Sequence, residues 1–133
     1  MQGWKWKNFA PDELRCHCLC QELVFNNVAM ERLQTMRDKL GFHLIITSAY
    51  RCPTHNKTVS STGLKGPHTT ARAFDIQIWG DYAIKVMEAA IAEGFTGFGL
   101  MQHGPRNKRF LHLDDLVEPD HSPRPWVWTY KGD

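Results

Sequence analysis

Phe110-Leu111-His112-Leu113-Asp114 is the stretch whose reading decides the fold, because its polar and apolar residues alternate. A period of two is that of a strand, so Leu111 and Leu113 face a core while Phe110, His112 and Asp114 share the opposite face. Upstream, Ala73-Phe74-Asp75-Ile76-Gln77-Ile78 has the same pattern: Phe74, Ile76 and Ile78 form an apolar face, and Asp75 and Gln77 point the other way. Two strands that each carry a polar ligand on the non-core side can converge in one cleft. His68, in the loop before Asp75, lies close enough in sequence to reach it.

Taken singly, His68, Asp75 and His112 are each explained by loop or surface hydrogen bonds. Together they are two imidazoles and a carboxylate, a donor set that suits catalytic zinc. Such a set fills three positions of a tetrahedron and leaves the fourth for a water, whose pKa the metal lowers toward neutrality. Hydrolysis is the chemistry expected.

Three ordered segments carry a family resemblance. Thr47-Ser48-Ala49-Tyr50-Arg51-Cys52-Pro53-Thr54-His55-Asn56 is followed by Pro67-His68 through Ala73 and Asp75, and then by His112-Leu113-Asp114. They resemble the S-G-Y-R-x-P-x-H-N, S-x-H-x-x-G-x-A-x-D and H-x-D segments of the zinc D-alanyl-D-alanine carboxypeptidases and related endolysins. Ala49 and Ala71 stand where glycine is usual, and Gly66 where serine is usual, while the ligand positions are intact. The likeness runs from about Asn8 to Tyr130, nearly the whole chain.

The resemblance implies one zinc peptidase domain over residues 1–133, of α+β class, with an antiparallel sheet, flanking helices and a hedgehog/DD-peptidase-like fold. It implies that His68, Asp75 and His112 hold Zn2+, and that Arg51 meets a substrate carboxylate or carbonyl oxygen. A guanidinium there supplies fixed positive charge where negative charge develops. The implied substrate is the stem peptide or cross-link of peptidoglycan. Relatives divide between D-alanyl-D-alanine carboxypeptidases, L-alanyl-D-glutamate endopeptidases and D,D-endopeptidases, so the bond cut is not legible. A non-catalytic zinc-binding module, as in the hedgehog signalling domain, and a phage structural protein on the same scaffold are the alternatives.

Asp114 is the candidate general base. It lies on the strand face of His112, about 7 Å along the chain at the usual strand rise. The competing reading makes it a group that orients His68 or His112. Several relatives instead place an acid three positions before the last histidine, where this chain has Arg109, which cannot accept a proton. His103 is a further candidate for transition-state stabilisation, or a turn residue.

The chain has 133 residues, room for a core but not for a separate wall-binding module. Its formal charge of +2 is spread, with no basic stripe, so nucleic acid is not an expected partner. No apolar run has membrane length, and Met1 to Phe9 interleaves Trp4 and Trp6 with Lys5 and Lys7 instead of forming a signal-peptide core. The expectation is a monomer made in the cytoplasm that acts on the cell wall in phage lysis or from a phage tail.

Cys16, Cys18, Cys20 and Cys52 could cluster if the amino-terminal segment packs on the Arg51 loop. C-x-C-x-C fits poorly to the C-x-x-C pairs of structural zinc, and a disulfide from Cys52 would need an oxidising compartment. Buried free thiols are the default reading. Among regular elements, a helix is predicted from about Val28 to Leu40 with Met30, Leu33, Met36 and Leu40 inward, ending at Gly41. A buried strand is predicted over Leu44 to Thr47, and a mobile loop over Ser60 to Gly66. A second helix is predicted from about Tyr82 to Glu93 with Ile84, Met87 and Ile91 on its core face. Phe98 to Met101 and Phe110 to Leu113 read as a hairpin, and Trp126, Trp128 and Tyr130 as a last strand that closes the core or stacks on a sugar.

Overall fold

Five strands form one sheet in the order β1-β2-β4-β3-β5 in a computed structural model that describes residues 3–121 and 123–131. The strands are β1 (Ile45–Ser48), β2 (Ala73–Gln77), β3 (Gly97–Met101), β4 (Phe110–Asp114) and β5 (Trp126–Thr129). The helices are α1 (Asn27–Leu40), α2 (Pro53–Val59) and α3 (Gly80–Ala92). The result is a small α+β domain. Four strands pair antiparallel, as expected, and β5 runs parallel to β3 at one edge, which makes the sheet mixed.

One sheet face and the inner stripes of α1 and α3 make the core. Phe74, Ile76 and Ile78 from β2 and its end, and Leu111 and Leu113 from β4, are buried there. Each such side chain contributes roughly 1.5–3 kcal/mol by leaving water. α1 begins where the Asn26 side chain accepts from the Ala29 amide at 3.0 Å, and ends at Gly41, whose φ of 74° is the left-handed cap that glycine adopts without a Cβ penalty. Met30, Leu33 and Met36 are buried as the helical period predicts, and Leu40 is partly buried.

Three expectations change. On α3 the buried residues are Ala83, Val86 and Ala90, while Ile84 and Ile91 are 69% and 57% exposed and Met87 lies at the boundary. Two overlapping helical stripes were available, and the one bearing small residues lets the helix lie close to its neighbours. β1 is half-buried at the sheet edge, with Ile46 inside and Ile45 exposed. The segment read as a mobile loop follows α2 and contains short 3-10 turns at Gly63–Lys65 and Pro67–Thr70. Asn56, buried in α2, ties it down by donating to Thr62 Oγ1 at 2.8 Å and the Gly63 carbonyl at 2.6 Å. Gly66 is bare because a Cβ there would collide with the side chains of Thr62 and Asn56.

The register sets one row across all five strands: Ser48, Asp75, His112, Gly99 and Trp128 are successive partners. The next row is Ala73, Asp114, Gly97 and Trp126. β3 thus contributes glycines where its neighbours contribute functional groups, and the space over them is taken by the Asp114 carboxylate at Gly97 and by Trp128 and Tyr130 at Gly99.

Candidate metal centre

His68, Asp75 and His112 come together above that row. His68 Nε2 and His112 Nδ1 each lie 3.3 Å from Asp75 Oδ1, and the three atoms are within 4.8 Å of one another. The rings stand at 5.1 Å between centroids, inclined at 80°. All three side chains are buried.

The hydrogen bonds behind the imidazoles decide which nitrogens face inward. His68 Nδ1 lies 2.6 Å from the Ala49 carbonyl, which can only accept, so this nitrogen carries the proton. His112 Nε2 lies 2.7 Å from Asp114 Oδ2 and donates to it. With those protons placed, neutral rings turn bare lone pairs from His68 Nε2 and His112 Nδ1 toward Asp75 Oδ1. Asp75 Oδ1 is itself buried and has no hydrogen-bond partner. Three acceptors facing one another is a cost unless a cation lies among them. For zinc bonds of about 2.0–2.2 Å to nitrogen and oxygen, a tetrahedron places ligand atoms about 3.3–3.5 Å apart, which the two Asp75 separations match. The residues fit zinc.

Electrostatics agree with a cation seat. Burial opposes ionisation of Asp75, yet positive charge on its two neighbours, carried by protonated His68 and His112 in the metal-free chain, holds its carboxyl well below the usual carboxylate range, as a cation seated there would. Burial likewise disfavours the His112 imidazolium, but hydrogen bonds to Asp114 and Asp75 raise its pKa on balance.

A family model described as Peptidase M15 matches residues 7–114. The chain belongs to the peptidase M15 family. Its members are zinc peptidases, and the match spans His68, Asp75, His112 and Arg51. No curated protein matches the chain.

In this M15 peptidase, Arg51 lies beside the carboxylate ligand. Its guanidinium reaches Ser48 Oγ at 3.2 Å, Asn56 Oδ1 at 3.2 Å and Asp75 Oδ2 at 3.5 Å. Three tethers fix the charge, and the group still lines the cleft. That cleft has a volume of about 930 Å³ and runs from Arg51 past His68, Asp75 and His112 to the aromatic wall of Trp126, Trp128 and Tyr130. The Trp128 ring lies 4.9 Å from that of His112. Burial, with the charge of Asp75, pushes the Tyr130 hydroxyl up to about 12.

Asp114 does not fit the base role. Its carboxylate is fully buried and lies on the far side of the His112 ring from Asp75. Arg124 holds both its oxygens, Nε to Oδ1 and Nη2 to Oδ2, each at 2.9 Å, and the Leu116 amide donates to Oδ1 at 3.3 Å. The pair with His112 and Arg124 lowers its pKa to about 2 although burial opposes this. The geometry is that of a carboxylate orienting the His112 imidazole. Gly97 is bare because a Cβ there would collide with this carboxylate. His103 stands outside the cleft, with Nε2 3.3 Å from the Tyr130 carbonyl, and Arg109 turns to the Gly104 carbonyl at 2.9 Å.

Sequence reasoning missed the roles of Arg124, Asn56 and Gly97. Arg124 sits in a Pro-rich stretch with no periodicity, ten residues from Asp114, and only the folded register pairs them. Asn56 stood inside a quoted motif, but its contacts are non-local.

Proposed function

We propose that the chain is a zinc-dependent peptidase of peptidoglycan that hydrolyses an amide bond in the stem peptide or cross-link. The observation that carries this reading is the pair of bare imidazole nitrogens facing the orphaned Asp75 oxygen at the floor of a cleft that also presents Arg51. Zinc held by His68, Asp75 and His112 would supply Lewis acidity and a nucleophilic water at neutral pH.

The chain's own residues then divide the work. Arg51 binds the substrate's terminal carboxylate or the oxygen on which charge develops, and its three tethers mean that little reorganisation is needed. Asp114 fixes the tautomer and angle of His112, and Arg124 fixes Asp114. Trp126, Trp128 and Tyr130 line one side of the cleft with aromatic surface suited to a peptide backbone or a sugar ring. An endopeptidase cut suits a lytic role better than carboxypeptidase trimming, because removing a terminal residue leaves the mesh intact. A phage lysis or tail enzyme acting on the wall is the setting that goes with this reading.

A second reading is favoured by one observation. Among the described residues, Asp75 is the only carboxylate lining the cleft, since Asp114 is turned away and Arg109 occupies the position where relatives place an acid. A zinc-dependent binder of wall peptides would need no proton acceptor there. Purified protein incubated with peptidoglycan, with and without chelator, separates the two. Release of free amines that stops on chelation and returns with zinc supports the peptidase. Tight zinc with wall binding and no released amine supports the binder.

A further inference from the structure

We infer that Cys16, Cys18, Cys20 and Cys52 form a second metal site, a tetrahedral zinc–tetrathiolate centre that staples the amino-terminal segment to the loop carrying Arg51. The four sulfurs lie within 4.8 Å of one another. Cys18 Sγ is 3.5 Å from Cys16 Sγ, 3.1 Å from Cys20 Sγ and 3.6 Å from Cys52 Sγ. Tetrahedral zinc with bonds of about 2.3 Å sets sulfurs about 3.8 Å apart. Cys16 and Cys52 lie within a few tenths of an ångström of that spacing from Cys18, Cys20 is closer to Cys18, and small side-chain rotations suffice to seat all four.

The backbone also presents donors to the sulfurs. Each accepts one backbone amide: Cys16 from Cys52, Cys18 from Cys20, Cys20 from Glu22 and Cys52 from His55, at 3.3–3.5 Å. A neutral thiol is a weak acceptor, whereas a metal-bound thiolate is stabilised by such donors. Four sulfurs with four amides is what a thiolate cage needs, and it is more than free thiols require.

C-x-C-x-C fits poorly to such a cage when it is read as an extended strand, in which alternate residues lie about 7 Å apart. Here the segment is coiled instead. The Cys16 amide donates to the Glu22 carbonyl at 2.9 Å, the Gln21 amide to the Cys18 carbonyl at 3.1 Å, and Gln21 has φ 46°. The turn folds the three cysteines onto one point, and Cys52 completes it from the residue after Arg51. Only Cys16 is buried; Cys18 and Cys52 are half-buried and Cys20 is exposed, so these are not the buried thiols of an ordinary core.

Zinc binding here forms four metal–sulfur bonds and releases the thiol protons to solvent. The full chain, purified under reducing conditions, should carry two zinc ions. His112→Ala should remove one, and Cys20→Ser should weaken the other so that a chelator strips it first. Cobalt substitution should give a sulfur-to-metal charge-transfer band that persists at full intensity in His112→Ala and loses intensity in Cys20→Ser, which keeps this site distinguishable from the histidine centre. If Cys20→Ser does not fold, wild-type protein still decides. Its four thiols should resist a thiol reagent until a chelator is added, and the intact mass after metal removal should show all four hydrogens. One zinc per chain, lost entirely in His112→Ala, would overturn the inference, as would thiols that react freely in the native protein, a mass lowered by disulfide formation, or iron in place of the second zinc.

Discussion

Asp114 stands directly behind His112, accepting from its Nε2 at 2.7 Å while Nδ1 of the same ring lies 3.3 Å from Asp75. The two nitrogens of one imidazole thus connect the cleft to a buried ion pair, since Arg124 holds the far side of the carboxylate. A charge placed there makes the imidazole a stronger ligand and prevents its rotation.

Asp114→Asn should therefore weaken zinc binding by about 10- to 100-fold, because the amide can accept from Nε2 but carries no charge and leaves Arg124 unpaired. Competition with a chromophoric chelator measures this. Unchanged zinc affinity with a fall in turnover alone would return Asp114 to the base role.

Arg51→Ala should keep zinc and lower kcat/KM for wall-peptide cleavage by on the order of 100- to 1,000-fold, the usual cost of removing a donor aimed at developing charge. Arg51→Lys should recover little, since one ammonium cannot meet Ser48, Asn56 and Asp75 together. Equal loss of zinc in both variants would show that Arg51 only braces the ligand.

The strands bearing His112 and Asp75 were legible because alternation over Phe110 to Asp114 and Ala73 to Ile78 is local and has one solution: leucine and isoleucine inward, ligands outward. α3 was half-legible, since its helical period was clear but Ala83, Val86 and Ala90 competed with Ile84 and Ile91 for the core, and only packing against the rest of the domain chose between them. α2 was missed because Pro53-Thr-His-Asn-Lys-Thr-Val has no apolar stripe; it is held by the Cys52 cap and by Asn56 reaching forward to Thr62 and Gly63. The direction of β5 was hidden because its partner, β3, is distant in sequence and the strand pattern is the same either way. The role of Asp114 was ambiguous for a related reason: alternation gives the face of a side chain and not the distance to Arg124.

Zinc affinity should fall with pH from a higher point than free imidazole would give. Burial opposes the His112 proton, but Asp114 and Asp75 raise its pKa above the ordinary imidazole value of about 6.5 in the metal-free chain. The proton's contribution to stability of that chain is full below about pH 6.5 and is lost as pH rises through the raised value. Zinc needs Nδ1 bare, so binding runs the opposite way and weakens as the ring protonates. Calorimetric zinc titrations between about pH 5 and pH 8 should place the break above 6.5 for wild type and lower for Asp114→Asn. A break at the same pH in both proteins would exclude this coupling.

Gly99 is the test of the aromatic wall. A Cβ at that position would lie 2.7 Å from Trp128 Nε1 and 2.8 Å from Tyr130 Oη, so both rings must shift outward. Gly99→Ala should cost about 1–3 kcal/mol of stability in urea unfolding, the usual range for overpacking. It should also raise KM, because Trp128 packs on His112 and both rings line the cleft. Zinc content should be unchanged, since Gly99 is beside His112 in the ladder but contributes no ligand. Wild-type stability and KM in this variant would mean that the Trp128 and Tyr130 rings move freely over the sheet, and that the wall is not a fixed part of the cleft.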